Sequence, residues 1–314
     1  MQIVILDGYT LNPGDLSWEP IEQLGNVLNY DRTKSEETVV RCIGADIVLT
    51  NKVFLSDKIL AQLPKLKFIG ILATGINVVD VESASRLGIV VSNVPEYSTH
   101  SVAQHTFSLL LSLLNNAKVH DLDIRQGGWK SRQDFSYTLS TIHELNTKCM
   151  GILGWGKIGK KVAEIAAAFG MNVQVTTKYP DDSDVEFVSI SQLFETSDVI
   201  SIHSSLTKEM KGLVNNDLIN TMKPSAYLLN TSRGQIINDQ DLADALNNGI
   251  LSGAGIDVFS VEPPSENHPL LHAKNVVLTP HIAWTSFEAR QKLLEITANN
   301  IRAFQRGNPL NQVN

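Results

Sequence analysis

The chain has 314 residues, 43% of them apolar, with a formal net charge of −7, which allows two domains of ordinary size, each with a real core. The acidic balance argues against a nucleic-acid or anionic-membrane partner, either of which wants a basic face, but one arginine can still hold a small anionic substrate. Two cysteines, Cys42 and Cys149, stand far apart with no C-x-x-C pair, so buried thiols in a reducing compartment are expected rather than a disulfide or zinc framework.

The opening MQIVILDGY carries an apolar run, Ile3–Leu6, that Asp7 ends, and no basic segment precedes it. That reads as a buried strand, not a signal peptide. The most apolar stretch, Thr106 to Leu114, is too short to span a bilayer, and a cytoplasmic protein is expected. Further short apolar runs follow at Ile47–Thr50, Phe68–Leu72 and Ile89–Ser92, alternating with helical periods at Asp57–Leu63 and Val79–Leu87. A long helical pattern then runs from Ser98 to about Arg125. Its apolar positions Val102, Phe107, Leu109, Leu110, Leu113 and Leu114 are too many for a surface helix, so burial between two domains is expected. A second series of strands comes after it, at Cys149–Leu153, Asn172–Thr176, Val199–His203, Ala226–Asn230, Gly253–Val258 and Val276–Leu278. The last helix, Ser286 to Gln305, closes most simply onto the first series.

Continuous apolar strands alternating with helices imply parallel sheets covered on both faces. The expected fold is therefore α/β, with two doubly wound parallel-sheet domains. A Rossmann nucleotide domain, 100–284, is inserted in a discontinuous flavodoxin-like substrate domain, 1–99 and 285–314.

Residues 151–159 read G-I-L-G-W-G-K-I-G, so Gly154, Gly156 and Gly159 form G-x-G-x-x-G directly after a strand, and a helix starts at Lys157 and Ile158. The first glycine permits the tight turn, the second lets backbone amides approach a pyrophosphate, and the third lets helix pack on strand. The phosphates would sit at a helix N-terminus, where free amides and the dipole favour anions. The next strand should end in an acid that accepts from the adenosine 2′-hydroxyl of NAD(H). That position falls on Thr177, followed by Lys178. Either Lys178 attracts the 2′-phosphate of NADP(H), or it is a solvated lysine and NAD(H) is bound with weaker ribose contacts.

Three segments that each end a strand carry the chemistry: L-N-T-S-R-G at 229–234, G-I-D-V-F-S-V-E-P-P at 255–264 and T-P-H-I-A-W at 279–284. Loops beyond the carboxyl ends of such strands line one crevice. Reduction of a 2-oxo acid needs a cation for the carboxylate, a proton for the carbonyl oxygen and a group that orients the donor. Arg233 can bind a carboxylate with its planar fork. His281 can supply the proton, and Glu262 would favour the imidazolium and fix the ring.

With these pieces in place, the chain resembles the D-isomer-specific 2-hydroxyacid dehydrogenase family along nearly its whole length. A-T-G-I-N at 73–77, S-V-A-Q-H-T-F at 101–107 and H-S-S-L-T at 203–207 join the motifs above. The resemblance implies Arg233, Glu262 and His281 as the catalytic set, and a carboxylate-binding loop at Thr74, Gly75 and Ile76. It implies nicotinamide-side contacts at Thr231 and Asp257, a phosphate contact at Thr106, and cofactor contacts along His203, Ser204, Ser205 and Ser232. Ser204-Ser205 stands where many members have a residue and proline. A homodimer joined through the nucleotide domains is also implied. L-D-G-Y-T-L-N-P-G-D-L-S-W at 6–18 and H-I-A-W-T-S-F-E-A-R at 281–290 are similar to the glycerate dehydrogenases, also called hydroxypyruvate reductases, with Trp284 and Arg290 near the substrate.

The expected reaction is hydride transfer from NAD(P)H to hydroxypyruvate or glyoxylate, with the domains closing over the reactants. The alternatives are a dehydrogenase of the same family for lactate, phosphoglycerate or a branched acid, and a nucleotide-sensing corepressor on the same fold. No metal is expected: His268 and His272 are four apart, but Pro269 lies between them and no carboxylate flanks the pair as in a helical zinc motif. Packing or capping is expected of His100 and His105.

Overall fold

A strand inside a parallel sheet has both faces covered, so its residues must be apolar on both sides. The apolar runs obey this rule in the computed structural model, which describes residues 1–314. The chain divides into two compact units, Met1–Ser98 with Thr285–Asn314, and Thr99–Trp284.

The first unit holds five strands: β1 (Gln2–Ile5), β2 (Asn26–Asn29), β3 (Ile47–Thr50), β4 (Phe68–Ile71) and β5 (Val90–Ser92). They lie in the order β2-β1-β3-β4-β5, and all pairs are parallel. Every residue of β3 and β4 is buried, whereas the edge strand β2 is largely exposed, which is why its sequence, NVLN, carries no apolar run. The helix Phe287–Gln305 belongs to this unit. The Ser286 hydroxyl caps its start by accepting from the Ala289 amide at 3.2 Å. Its buried stripe includes Leu293, Leu294 and Ile301, each contributing roughly 1.5–3 kcal/mol by leaving water. The Phe304 ring lies 4.9 Å from that of Phe68 on β4.

The second unit holds β6 (Cys149–Leu153), β7 (Asn172–Thr176), β8 (Glu186–Phe187), β9 (Val199–Ile202), β10 (Tyr227–Asn230), β11 (Gly253–Ile256) and β12 (Val276–Leu278). The order is β12-β11-β10-β9-β6-β7-β8, again all parallel. The chain builds outward from β6 through β7 to β8, then returns to the other side of β6 with β9. That reversal opens a crevice at the carboxyl ends of β6 and β9, where doubly wound sheets take ligands.

The structure corrects the helix expected from Ser98 to Arg125. Two helices occupy the span, Thr99–Asn115 and Ala117–Arg125, separated by Asn116 in the left-handed region at φ 47°. Asparagine tolerates that conformation better than most residues. The buried face of Thr99–Asn115 joins the core of the second unit, packing with Met150, Val162 and Leu229. Strand β11 makes room for it: a Cβ on Gly255 would lie 2.8 Å from the Leu109 Cβ. No helix is long and apolar enough to cross a membrane.

Candidate active site

The glycine turn follows β6. Gly154 sits at φ +107°, and a Cβ there would meet the His203 carbonyl oxygen at 2.7 Å, so only glycine fits between the two strand ends. Gly159 is equally constrained: its Cβ would stand 2.3 Å from the Gly154 carbonyl oxygen, which lets the helix Lys157–Ala168 close on the turn. Around Gly156 the opposite holds, since a Cβ there would meet nothing within 4 Å. Open space beside Gly156, the N-cap of a helix with no acid in its first turn, fits a pyrophosphate. The Gly154 amide donates to the Thr176 carbonyl at 2.9 Å, which places Thr177 next to this turn.

The β9 and β10 ends form the neighbouring wall. Ser204 Oγ donates to the Leu153 carbonyl at 3.1 Å, and Ser232 Oγ donates to the Ser204 carbonyl at 2.5 Å. These bonds make Ser204 and Ser232 struts of the turn, whereas Ser205 is exposed. Thr231 and Thr106 share a buried hydroxyl–hydroxyl bond of 3.1 Å. Burial drives the His203 imidazole down to about 3, so it is neutral, and its Nε2 pairs with Ser201 Oγ at 2.7 Å.

The three chemistry-bearing segments meet on this side of the second unit. His281 Nδ1 is 2.7 Å from Glu262 Oε2, and Glu262 Oε1 accepts from the Phe259 amide at 3.1 Å. That pairing leaves the imidazole Nε2 for another partner. Arg233 follows β10, with one guanidinium nitrogen donating to its neighbour Ser232's carbonyl at 2.8 Å and the rest of the fork available for an anion. The next residue ties the Arg233 segment to the Glu262 loop: a Cβ on Gly234 would lie 2.0 Å from the Phe259 carbonyl carbon. Gln235 Nε2 adds a bond of 2.7 Å to the Ser260 carbonyl.

His281 itself has φ 57°, an uncommon conformation for a residue with a side chain. Asp257 holds it there. The Asp257 carbonyl accepts from the His281 amide at 2.8 Å. One carboxylate oxygen accepts from Thr279 Oγ1 at 2.6 Å and from the Ile282 amide at 2.9 Å, and the other from the Ala283 amide at 3.0 Å. Burial raises the Asp257 carboxyl, but hydrogen bonds from His105, Thr279 and the two amides outweigh it, and the carboxyl lies below its ordinary value. His105 Nε2 lies 3.0 Å from Thr279 Oγ1 and 3.5 Å from Asp257 Oδ1. Asp257, expected as a nicotinamide-side contact, is fully buried here and braces the His281 turn. His105, expected to pack or cap, is the second layer of that brace.

In the first unit, the loop carrying Thr74, Gly75 and Ile76 follows β4. Thr74 Oγ1 donates to the Val94 carbonyl at 2.9 Å, and Asn93 Nδ2 donates to the Thr74 carbonyl at 2.8 Å. None of the three loop amides donates to an acceptor within this unit, which suits them to an anion. Trp284 is half-buried. Arg290, expected near the substrate, is 7% exposed, forks onto both oxygens of Asp15 at 2.6 Å each and donates to the Leu11 carbonyl at 3.1 Å. It anchors the N-terminal loop to the last helix. His268 and His272 also have separate partners, the Asp239 carboxylate at 3.0 Å and the Glu266 carbonyl at 3.3 Å. Both cysteines are at least partly buried; burial pushes the Cys42 thiol up to about 12.

Residues 107–283 match the family described as D-isomer specific 2-hydroxyacid dehydrogenase, NAD binding domain. A hydroxypyruvate reductase of Blautia hydrogenotrophica is 43% identical over 321 aligned positions, covering all of both chains. A glycerate dehydrogenase of Methylorubrum extorquens is 37% identical over 280 positions, 88% of each chain. Among solved structures, an acyclic imino acid reductase in complex with NADPH and D-Arg superposes with a TM-score of 0.88 at 31% identity, covering all of both chains.

Proposed function

This chain belongs to the D-isomer specific 2-hydroxyacid dehydrogenase family, NAD(P)-dependent enzymes that reduce small 2-oxo acids to D-2-hydroxy acids, and we propose that its own substrate is hydroxypyruvate, with glyoxylate as a second substrate. The observation that carries the catalytic reading is the His281–Glu262 pair at 2.7 Å, on the same side of the second unit as Arg233 and the glycine turn.

The reduced nicotinamide, when bound, supplies the hydride. His281 Nε2 holds the proton that the carbonyl oxygen takes, because Nδ1 is committed to Glu262. The Glu262 carboxylate holds Nδ1 and keeps the ring from turning. Arg233 binds the substrate carboxylate through the donors that Ser232 leaves over. In the first unit, Thr74, Gly75 and Ile76 offer amide donors for a carboxylate, and in the second unit Trp284 offers an aromatic wall for a substrate side chain. Gly154, Gly156, Lys157, Ile158 and Gly159 hold the pyrophosphate, Thr106 contacts a phosphate, and His203, Ser204, Ser205, Thr231 and Ser232 line the remaining cofactor surface. The second unit thus serves as the nucleotide domain and the first as the substrate domain.

The test is initial rates with hydroxypyruvate, glyoxylate and pyruvate for the wild type and His281→Ala. Hydroxypyruvate should give the highest kcat/KM. The substitution should lower kcat by about 10²–10⁴-fold while nucleotide affinity stays nearly intact. Near-normal turnover in the variant would remove His281 from the mechanism.

We also propose a cytoplasmic homodimer joined through the second unit. Exposed apolar side chains gather there on one stretch of chain, including Val119, Leu122, Ile124, Trp129 and Phe135, the last 89% exposed. Light scattering that returns the mass of a single 34.5 kDa chain at working concentration would refute the dimer.

A further inference from the structure

Coenzyme choice is decided where β7 ends, since the residue there faces the adenosine ribose in a doubly wound nucleotide site. The bond from the Gly154 amide to the Thr176 carbonyl fixes Thr177 beside the glycine turn. Thr177 Oγ1 already accepts from the Tyr179 amide at 3.2 Å, so its hydroxyl proton is the part left to offer. A donor suits a phosphate oxygen; reading a 2′-hydroxyl calls for an acceptor. Lys178 is exposed, its ammonium 5.6 Å from the Tyr179 ring, and it pairs with no carboxylate.

One nearby acid, Asp181, stands as a substitute reader of a 2′-hydroxyl, but its oxygens are spent. Oδ1 accepts from Trp155 Nε1 at 3.0 Å and from Ser183 Oγ at 2.5 Å, and Oδ2 accepts from Lys160 Nζ at 2.5 Å. Those bonds hold its carboxyl well below the ordinary range, so it stays committed as a carboxylate. Trp155 belongs to the glycine motif and Lys160 to the first turn of the following helix, so Asp181 is a clasp on the turn's own side chains. Asp182 and Asp184 stand beyond Pro180, away from the strand end in sequence.

We propose that this chain binds a 2′-phosphate and so prefers NADP(H) to NAD(H), with Thr177 and Lys178 as the selecting residues. The inference rests on the second unit being the nucleotide domain.

The experiment is calorimetric titration of the full chain with adenosine 2′,5′-bisphosphate and with adenosine 5′-monophosphate, which differ only in the 2′-phosphate. The wild type should bind the bisphosphate at least about tenfold more tightly, equivalent to about 1.4 kcal/mol. Lys178→Ala should reduce that ratio about tenfold, and Thr177→Asp should reverse it, by placing a carboxylate against the phosphate and an acceptor before the 2′-hydroxyl. The ratio of kcat/KM for NADPH over NADH should move in the same direction in both variants. Equal wild-type affinities, or a Lys178→Ala effect that weakens both nucleotides alike, would overturn the coenzyme preference while leaving the nucleotide domain in place. If neither nucleotide binds, the assignment of the domain fails as well.

Discussion

Two buried aspartates, one in each unit, follow strands and do similar work with opposite acid–base outcomes. Asp7, after β1, accepts from the amides of Asn51 at 2.8 Å, Lys52 at 2.6 Å and Val53 at 3.2 Å. Asp257, after β11, accepts from the Ile282 and Ala283 amides and from the Thr279 hydroxyl. Each carboxylate pins a loop at the carboxyl edge of its sheet. Burial raises Asp7 and its three amides do not fully compensate, whereas in Asp257 a hydroxyl and the His105 imidazole reverse the balance and the carboxyl is lowered. Backbone amides alone leave a buried carboxylate electrostatically uncomfortable. Added side-chain donors convert the same brace into a stably charged one, and the stably charged brace is the one that supports His281.

The largest effect that breaks the comparison is Asp257→Ala. It leaves the Thr279 hydroxyl and the Ile282 and Ala283 amides without their acceptor, at about 1–3 kcal/mol for each donor left buried and dry. Denaturant unfolding should show a loss of several kcal/mol, and residual turnover should fall with it as the His281 turn loosens. Full activity in a folded Asp257→Ala chain would show that the turn holds without its brace.

The middle effect is in the pH dependence of stability. The raised Asp7 carboxyl binds its proton more tightly when folded, so its share of stability is present at acid pH and declines as pH rises from about 3.8 through its folded value. Asp257 runs the other way: its share is present above about 3.8 and is lost as pH falls through its lowered folded value. Unfolding curves across the acid range should therefore respond oppositely to Asp7→Asn and Asp257→Asn. Slopes that move in the same direction would erase the contrast.

The smallest effect is His105→Gln. The amide keeps a donor near Thr279 but removes the imidazole, so Asp257 should shift toward the behaviour of Asp7, with a stability change of about 1 kcal/mol. A matching change in the acid limb of the kcat profile would place His105 in the support of His281. An unchanged profile would limit it to packing.

Much of this was legible in the sequence because burial on both faces writes itself as unbroken apolar runs, and nine of the twelve strands carry one. Of the three that do not, β2 and β8 are edge strands, β2 mostly exposed and β8 of two residues, and β7 carries the buried Gln174 between its two valines. The helix break at Asn116 escaped because an asparagine in a helical period looks like any polar residue until its backbone turns left-handed. At the site, Arg233, Glu262 and His281 were readable because each ends a strand in a distinctive segment. The His105 brace was not, since His105 and Thr279 are 174 positions apart and their bond depends on how the helix lies on β11 and β12. Asp181 escaped for a related reason: its partners Trp155 and Lys160 are 26 and 21 positions earlier, and nothing in an acidic run says which carboxylate will turn inward.

The left-handed backbone of His281 carries a consequence for how such a protein could be improved. A side-chain-bearing residue in that region stores strain on the order of 1–3 kcal/mol, and glycine would release it. Selection for heat tolerance alone would therefore favour trading the imidazole for a hydrogen atom. The position most exposed to that drift is the one assigned the proton, so any stabilised descendant should be screened for turnover as well as for its melting temperature.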